Sequence, residues 1–82
     1  MSVRETMIQL IHQETAIRIP ITEATDLFKD LCLDSLSFVS LLMEIEEQYN
    51  ITIELPEMAE CHIAGQLIKL VERKVGEEPI HA

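Results

Sequence analysis

The chain has no tryptophan, one tyrosine, two phenylalanines, two glycines and three prolines in 82 residues. So little glycine and proline excludes a turn-rich all-β fold. Two cysteines, Cys32 and Cys61, are too few for a disulfide framework and point to reduced thiols. No apolar run approaches the length of a bilayer span, and no signal or transit peptide is visible. The sequence therefore predicts a cytoplasmic chain without membrane insertion. Basic residues are scarce as well: 6 Lys and Arg stand against 15 Asp and Glu, for a formal net charge of −9. A nucleic-acid backbone is excluded as partner, because phosphate binding needs cations. A partner with a basic patch is favoured, although acidity also serves plain solubility.

What is present is helix-forming. Leu, Ile, Met, Glu and Gln dominate, and 48% of residues are apolar, enough for one small core. A single domain is expected over 1–82, with its core over roughly 2–75, a frayed tail at 76–82 and a monomeric state. Residues 2–14 read as an amphipathic helix with Val3, Met7, Leu10 and Ile11 on one face. Ser2 followed by Glu5 has capping-box spacing. Ile17, Ile19 and Ile21 alternate with Arg18 and Pro20, as do Ile51, Ile53 and Leu55 with their neighbours, so a two-stranded ribbon is conceivable. Pro20 and the marginal stability of a lone ribbon favour a long loop instead, anchored by Leu27, Phe28 and Leu31. Such loops in small domains are often functional. Residues 35–49 form the strongest helix, with Asp34 as N-cap and Asn50 as its stop. Pro56 opens a short segment around 57–61. A last helix over 63–75 turns Leu67, Ile68 and Val71 inward and ends at Gly76.

The helix at 35–49 carries more apolar residues than one core face requires. At 100° per residue, Phe38, Leu41, Leu42, Ile45 and Tyr49 fall on one side. Leu36, Val39 and Met43 fall on the other, in line with Glu46 and Glu47. Either the helix is buried on both sides, or the second strip faces solvent and docks a partner whose apolar surface has a basic rim. Docking is favoured, because 82 residues leave little chain to cover both faces. Exposure of Val39 and Met43 decides between the two.

Ser35 falls at the first helical position, where free backbone N–H groups and the positive end of the helix dipole tolerate a phosphate. An ordinary helix-start serine is the plainer alternative. Self-activated nucleophilic catalysis is not indicated: there is no G-x-S-x-G elbow, and His12, His62 and His81 all lie far from Ser35 in sequence.

Asp34-Ser35-Leu36, preceded by Phe28 and by Asp30-Leu31 and followed by Val39, Leu41, Met43, Ile45, Glu46-Glu47 and Tyr49, resembles the acyl carrier proteins. The resemblance covers nearly the whole chain, most loosely at 16–26 and 54–64. It implies an all-α four-helix bundle with a long first loop and a short third helix. It further implies that 4′-phosphopantetheine from coenzyme A is attached to Ser35 by a phosphopantetheinyl transferase, with Asp34 and Leu36 completing the motif. Cargo would then ride as a thioester. The chain would be a stand-alone carrier, not an enzyme, serving loading ligases and acyl-transfer enzymes in a specialised lipid, polyketide or secondary-metabolite pathway. Its partners would read Leu36, Val39, Met43, Glu46 and Glu47. Three departures stand out. Cys32 occupies a position where the family often has glycine. Ser37 and Ser40 replace frequent acidic residues. Phe38 is large for a position near an acyl cavity, which points to short or polar cargo, acyl or aminoacyl. The rival reading is a helical protein–protein adaptor that uses the same strip without a prosthetic group.

The remaining signals are weaker. Cys61-His62 lacks a second ligand pair, so no metal is expected; Cys61 should pack on the core and His62 face water. Glu44 is expected to point away from Glu46 and Glu47, and no calcium-loop spacing occurs. No environment near Cys32 predicts a lowered pKa. His12, Arg4, Arg18 and the basic cluster near the C-terminus read as solvated surface groups.

Overall fold

A computed structural model describes residues 2–76; of the tail expected to fray at 76–82, all but Gly76 lies outside the described residues. Among those residues the chain forms four helices: α1 (Val3–Glu14), α2 (Ser35–Tyr49), α3 (Leu55–Ala59) and α4 (Ala64–Val75). The fold is all-α, with α3 short and a long loop between α1 and α2, as the resemblance implies. No described helix is long and apolar enough to cross a membrane.

Helix α1 begins at the expected capping box. The Ser2 hydroxyl accepts the Glu5 N–H at 3.2 Å, and the Glu5 carboxylate accepts the Ser2 N–H at 3.0 Å, so two otherwise orphaned donors are satisfied reciprocally. Val3, Met7 and Ile11 are buried on its inner face, while Leu10 is only half-buried. α1 packs against both α2 and α4. On α4, Leu67, Ile68 and Val71 are fully inward, and Gly76 ends the helix in the left-handed conformation at φ 80°.

Helix α3 starts two residues earlier than the sequence suggests. Pro56 lies inside its first turn rather than before it, where a missing N–H costs nothing. Glu57 accepts the Glu54 N–H at 2.9 Å and also pairs with Lys74 of α4 at 3.1 Å. Lys74 is thus a tie between helices. Arg4 and Arg18 are likewise engaged: Arg4 meets Glu23 at 2.9 Å, and Arg18 donates to the His12 carbonyl near the end of α1 at 3.1 Å. Reading these three as merely solvated overlooks partners that lie far away along the chain or belong to the backbone. His12 is half-buried, and its Nε2 meets the Ile19 carbonyl at 3.2 Å.

Residues 15–34 are an ordered loop, and its anchors are those expected. Leu27 and Leu31 are buried and Phe28 half-buried. Two buried threonines hold it from inside. Thr15 donates its hydroxyl to the Leu31 carbonyl at 2.7 Å and accepts the Ile17 N–H at 3.1 Å. Thr25 accepts the Thr22 N–H at 2.8 Å. Directly after Thr25, residues 26–30 make one tight turn. Asp26 accepts the N–H groups of Phe28 and Lys29, and Asp30 accepts that of Asp26.

The loop is then tied to the residues that open α4. Leu27 N–H donates to the His62 carbonyl at 2.8 Å, Ala64 N–H to Thr25 at 2.8 Å and Gly65 N–H to Glu23 at 3.0 Å. An isolated antiparallel bridge joins Asp26 and Ile63. The ribbon pairing conceivable for residues 17–21 and 51–55 does not form; Ile17 and Ile21 pack against the core, while Ile19 is exposed.

Two positions test this packing. At Gly65 an added Cβ would stand 2.7 Å from the Glu23 carbonyl oxygen and 2.9 Å from its Cβ, so Gly65→Ala must push the loop off α4. We expect a loss of about 1–3 kcal/mol, the usual cost of overpacking, read from denaturant unfolding. Cys32 adopts φ 57°, a left-handed conformation that costs a side-chain-bearing residue about 1–2 kcal/mol. Glycine removes that cost but loses about 0.5–1 kcal/mol in unfolded-chain entropy. Cys32→Gly is therefore expected to stabilise the fold by up to about 1 kcal/mol in the same measurement.

Candidate functional site

The left-handed turn at Cys32 delivers the chain into α2. Leu33 follows, buried, with its N–H on the Leu27 carbonyl at 3.1 Å. Asp34 is the N-cap: its backbone is extended, and its carboxylate accepts the Ser37 N–H at 2.8 Å. Leu33 and Phe38, on either side of the cap, are both buried and hold the positions of a hydrophobic staple. The entry angle of α2 is therefore set by apolar packing below and by one carboxylate above.

Ser35 is the first residue of α2 and is exposed. The Ser37 N–H, then the Ser37 hydroxyl, hold the Asp34 carboxyl below its ordinary value. Asp34 is ionised at neutral pH, with its charge directed at the first turn. A helix N-terminus of this kind presents N–H groups and a positive dipole end to whatever is attached there.

From Ser35 onward α2 presents two faces. Phe38, Leu41, Leu42 and Ile45 are buried, and Tyr49 is half-buried. Leu36 is 78% exposed, Met43 57% and Val39 44%, so the helix is not buried on both sides. These three residues line one shallow depression with Ser40, Glu44 and Glu47. Glu46 is placed differently. It is half-buried, and its carboxylate accepts the Ile53 N–H at 2.8 Å. Glu44, expected to point away, shares the depression with Glu47 instead. Glu46 stands close to Val39 at one edge of the strip and Glu44 lies farther round on the other side, and the chain returning after Asn50 takes up Glu46.

One turn along α2 from Ser35, at Phe38, lies a feature with no sequence signal. The rings of Phe28, Phe38 and His62 meet, with centroids 5.1 Å apart for Phe28–Phe38, 4.7 Å for Phe28–His62 and 5.7 Å for Phe38–His62. Cys61 is buried as expected, and burial, aided by Glu57 and Glu60, pushes its thiol pKa up. His62 is exposed, yet it rests against two phenylalanines rather than simply facing water. Among the described residues no group of three or more His, Cys, Asp or Glu could hold a metal ion.

A family profile described as "Phosphopantetheine attachment site" matches residues 5–71. The chain belongs to this family of carrier proteins. Members are carriers rather than catalysts, and their cofactor is covalently attached phosphopantetheine. Two relatives are similar to this carrier over part of its length. A probable acyl carrier protein of Caulobacter vibrioides is 40% identical over 43 residues, 52% of this chain and 50% of that protein. The acyl carrier protein of Thermotoga maritima is 29% identical over 56 residues, 68% of this chain and 69% of its own. The match thus spans half the length of the first relative and about two-thirds of the second. The local chemistry of the carrier fits its cofactor: a phosphodiester needs an exposed hydroxyl, and Ser35 offers one at a helix N-terminus, the dipole end that favours an anion.

The carboxylates of this carrier generate a pH prediction. Asp34, Asp26, Glu5 and Glu57 all lie below their ordinary values of 3.8 or 4.5, chiefly because each accepts a backbone N–H. A lowered folded-state pKa contributes stability that is present above the unfolded value and lost as pH falls through the folded one. Relief of self-repulsion in a chain of net charge −9 works the other way on mild acidification. Thermal midpoints should therefore hold or rise from pH 7 to about pH 5 and fall below about pH 4. A midpoint that falls steadily from pH 7 would contradict this assignment.

Proposed function

We propose that Ser35 carries the 4′-phosphopantetheine and that the chain presents acyl or aminoacyl cargo to partner enzymes. The observation that carries the reading is one of position. In a chain of the attachment family, an exposed serine opens a capped helix whose outer face continues as an exposed apolar strip. Asp34 and Leu36 complete the motif on either side: Asp34 orders the first turn, and Leu36 offers an apolar contact next to the modified hydroxyl.

In loading, the Ser35 Oγ attacks the diphosphate phosphorus of coenzyme A nearer the pantetheine. A base of the transferase takes the Ser35 proton, the P–O bond to the nucleotide breaks, and adenosine 3′,5′-bisphosphate leaves. When bound, the prosthetic group supplies a thiol on a long flexible arm, to which cargo is joined as a thioester. The chain's own residues bind and orient. Leu36, Val39 and Met43 would dock an apolar patch on the transferase, the loading ligase or the acyl-transfer enzyme. Glu47 and Glu44 would meet basic residues at its rim, with Glu46 at the margin through the oxygen not engaged by Ile53. The net charge of −9 supports steering by basic partners. A lipid, polyketide or secondary-metabolite pathway suits such a carrier. A cytoplasmic setting is supported by the two unpaired thiols of Cys32 and Cys61.

Intact mass decides the central point. Incubation with coenzyme A and a broad-specificity phosphopantetheinyl transferase should add one phosphopantetheinyl group, and Ser35→Ala should add none. Val39→Asp, Met43→Asp or the pair should slow loading by about tenfold or more while leaving the fold intact, since buried apolar contacts at interface centres carry most of the affinity. No mass gain in a folded wild-type chain would favour the adaptor that uses the strip unmodified.

A further inference from the structure

An apolar cargo tethered at Ser35 has two apolar destinations, the exposed strip and the interior. The nearest route inward runs along the face of α2 that bears Phe38, because residues three apart on a helix are neighbours. Phe38 is 6% exposed, and its ring is packed against Phe28 from the first loop and His62 from the segment before α4. The Phe28 ring is tilted 54° to Phe38, and the imidazole stands edge-on to the phenylalanines at 89° and 85°. The edge-on contacts of His62 are a favoured arrangement for aromatic pairs.

The outer two rings are not loosely laid over the third. The segments carrying them are bound to each other by Leu27 N–H on the His62 carbonyl and by Ala64 N–H on Thr25. The Phe28 N–H is itself held by Asp26 at 2.9 Å. Leu27, Leu31, Leu41 and Leu42 of the same core are almost completely buried. A chain entering here must part the rings, strain those backbone bonds and displace close-packed side chains.

We propose that the Phe28–Phe38–His62 ring cluster is the cargo filter of this carrier. It closes the core beside Ser35, keeps the cargo in solvent at the start of α2, and so selects cargo short or polar enough to remain there. Phe38 is the inner stop, and exposed His62 is the outer leaf. The inference rests on Ser35 being the loaded residue and adds what that residue can carry.

Loading the chain from acetyl-, butyryl-, octanoyl- and dodecanoyl-coenzyme A with a broad-specificity transferase tests it. Intact mass confirms each load before thermal unfolding is recorded. For the wild type, midpoints should agree within about 2 °C across the ladder. In His62→Ala or in Phe38→Leu, the dodecanoyl form should rise above the acetyl form by about 4 °C or more. His62 is exposed, so its replacement leaves the core intact even if Phe38→Leu folds poorly. Midpoints that climb with chain length in the wild type would overturn the filter. So would flat ladders in the folded variants, which would move the barrier away from these rings. Failure to load a folded wild-type chain at all would be seen in the mass spectrum and would instead remove the carrier reading on which the filter rests.

Discussion

The attachment of the first loop to the start of α4 is the constraint on which the rest depends. Three backbone hydrogen bonds, Leu27 to His62, Ala64 to Thr25 and Gly65 to Glu23, join segments far apart in the chain. Ordering a loop that spans residues 15–34 has a large entropic cost. Its return comes from burying Leu27, Leu31 and Leu33 and from satisfying polar groups on Thr15 and Thr25. Gly65 permits this contact because any side chain there would meet the Glu23 backbone. Without the clamp, Phe28 and His62 would not meet.

Helix α2 serves two environments at once. Its inner residues complete the core, while Leu36, Val39 and Met43 stay in water at an energetic disadvantage that folding alone does not explain. The carboxylates at the edges of that strip divide their roles. Glu46 stabilises the turn after the helix by accepting from Ile53, and Glu44 and Glu47 remain at the surface. Side chains of the same chemistry thus differ in environment, Glu46 bound to the backbone and its neighbour Glu47 left in solvent.

The same division runs through the helix start. Asp34 caps the first turn and leaves Ser35 exposed, while Leu33 and Phe38 secure the helix beneath. Cys32 holds the left-handed turn that precedes them. A left-handed backbone is where glycine sits without strain, so the cysteine carries a conformational cost at this turn.

Much of this architecture is legible in the sequence itself. The periodicity of 35–49 divided core from strip, because a helix converts spacing into direction. Asp34, Ser2 and Gly76 announced the helix ends, because caps are satisfied by residues a few positions away. Ser35 stood out through its motif and its place at a helix start. The relations between distant segments were not legible: the partners of Arg4 and Lys74, the commitment of Glu46 to Ile53, and the meeting of Phe28, Phe38 and His62. Glu46 and Glu47 share one face by spacing, and only the path of the returning chain distinguishes them. Local chemistry thus determined the helices, the exposed serine and the strip that follows it. Tertiary structure alone decided what stands beside that serine, because the rings belong to segments joined only when the loop docks on α4.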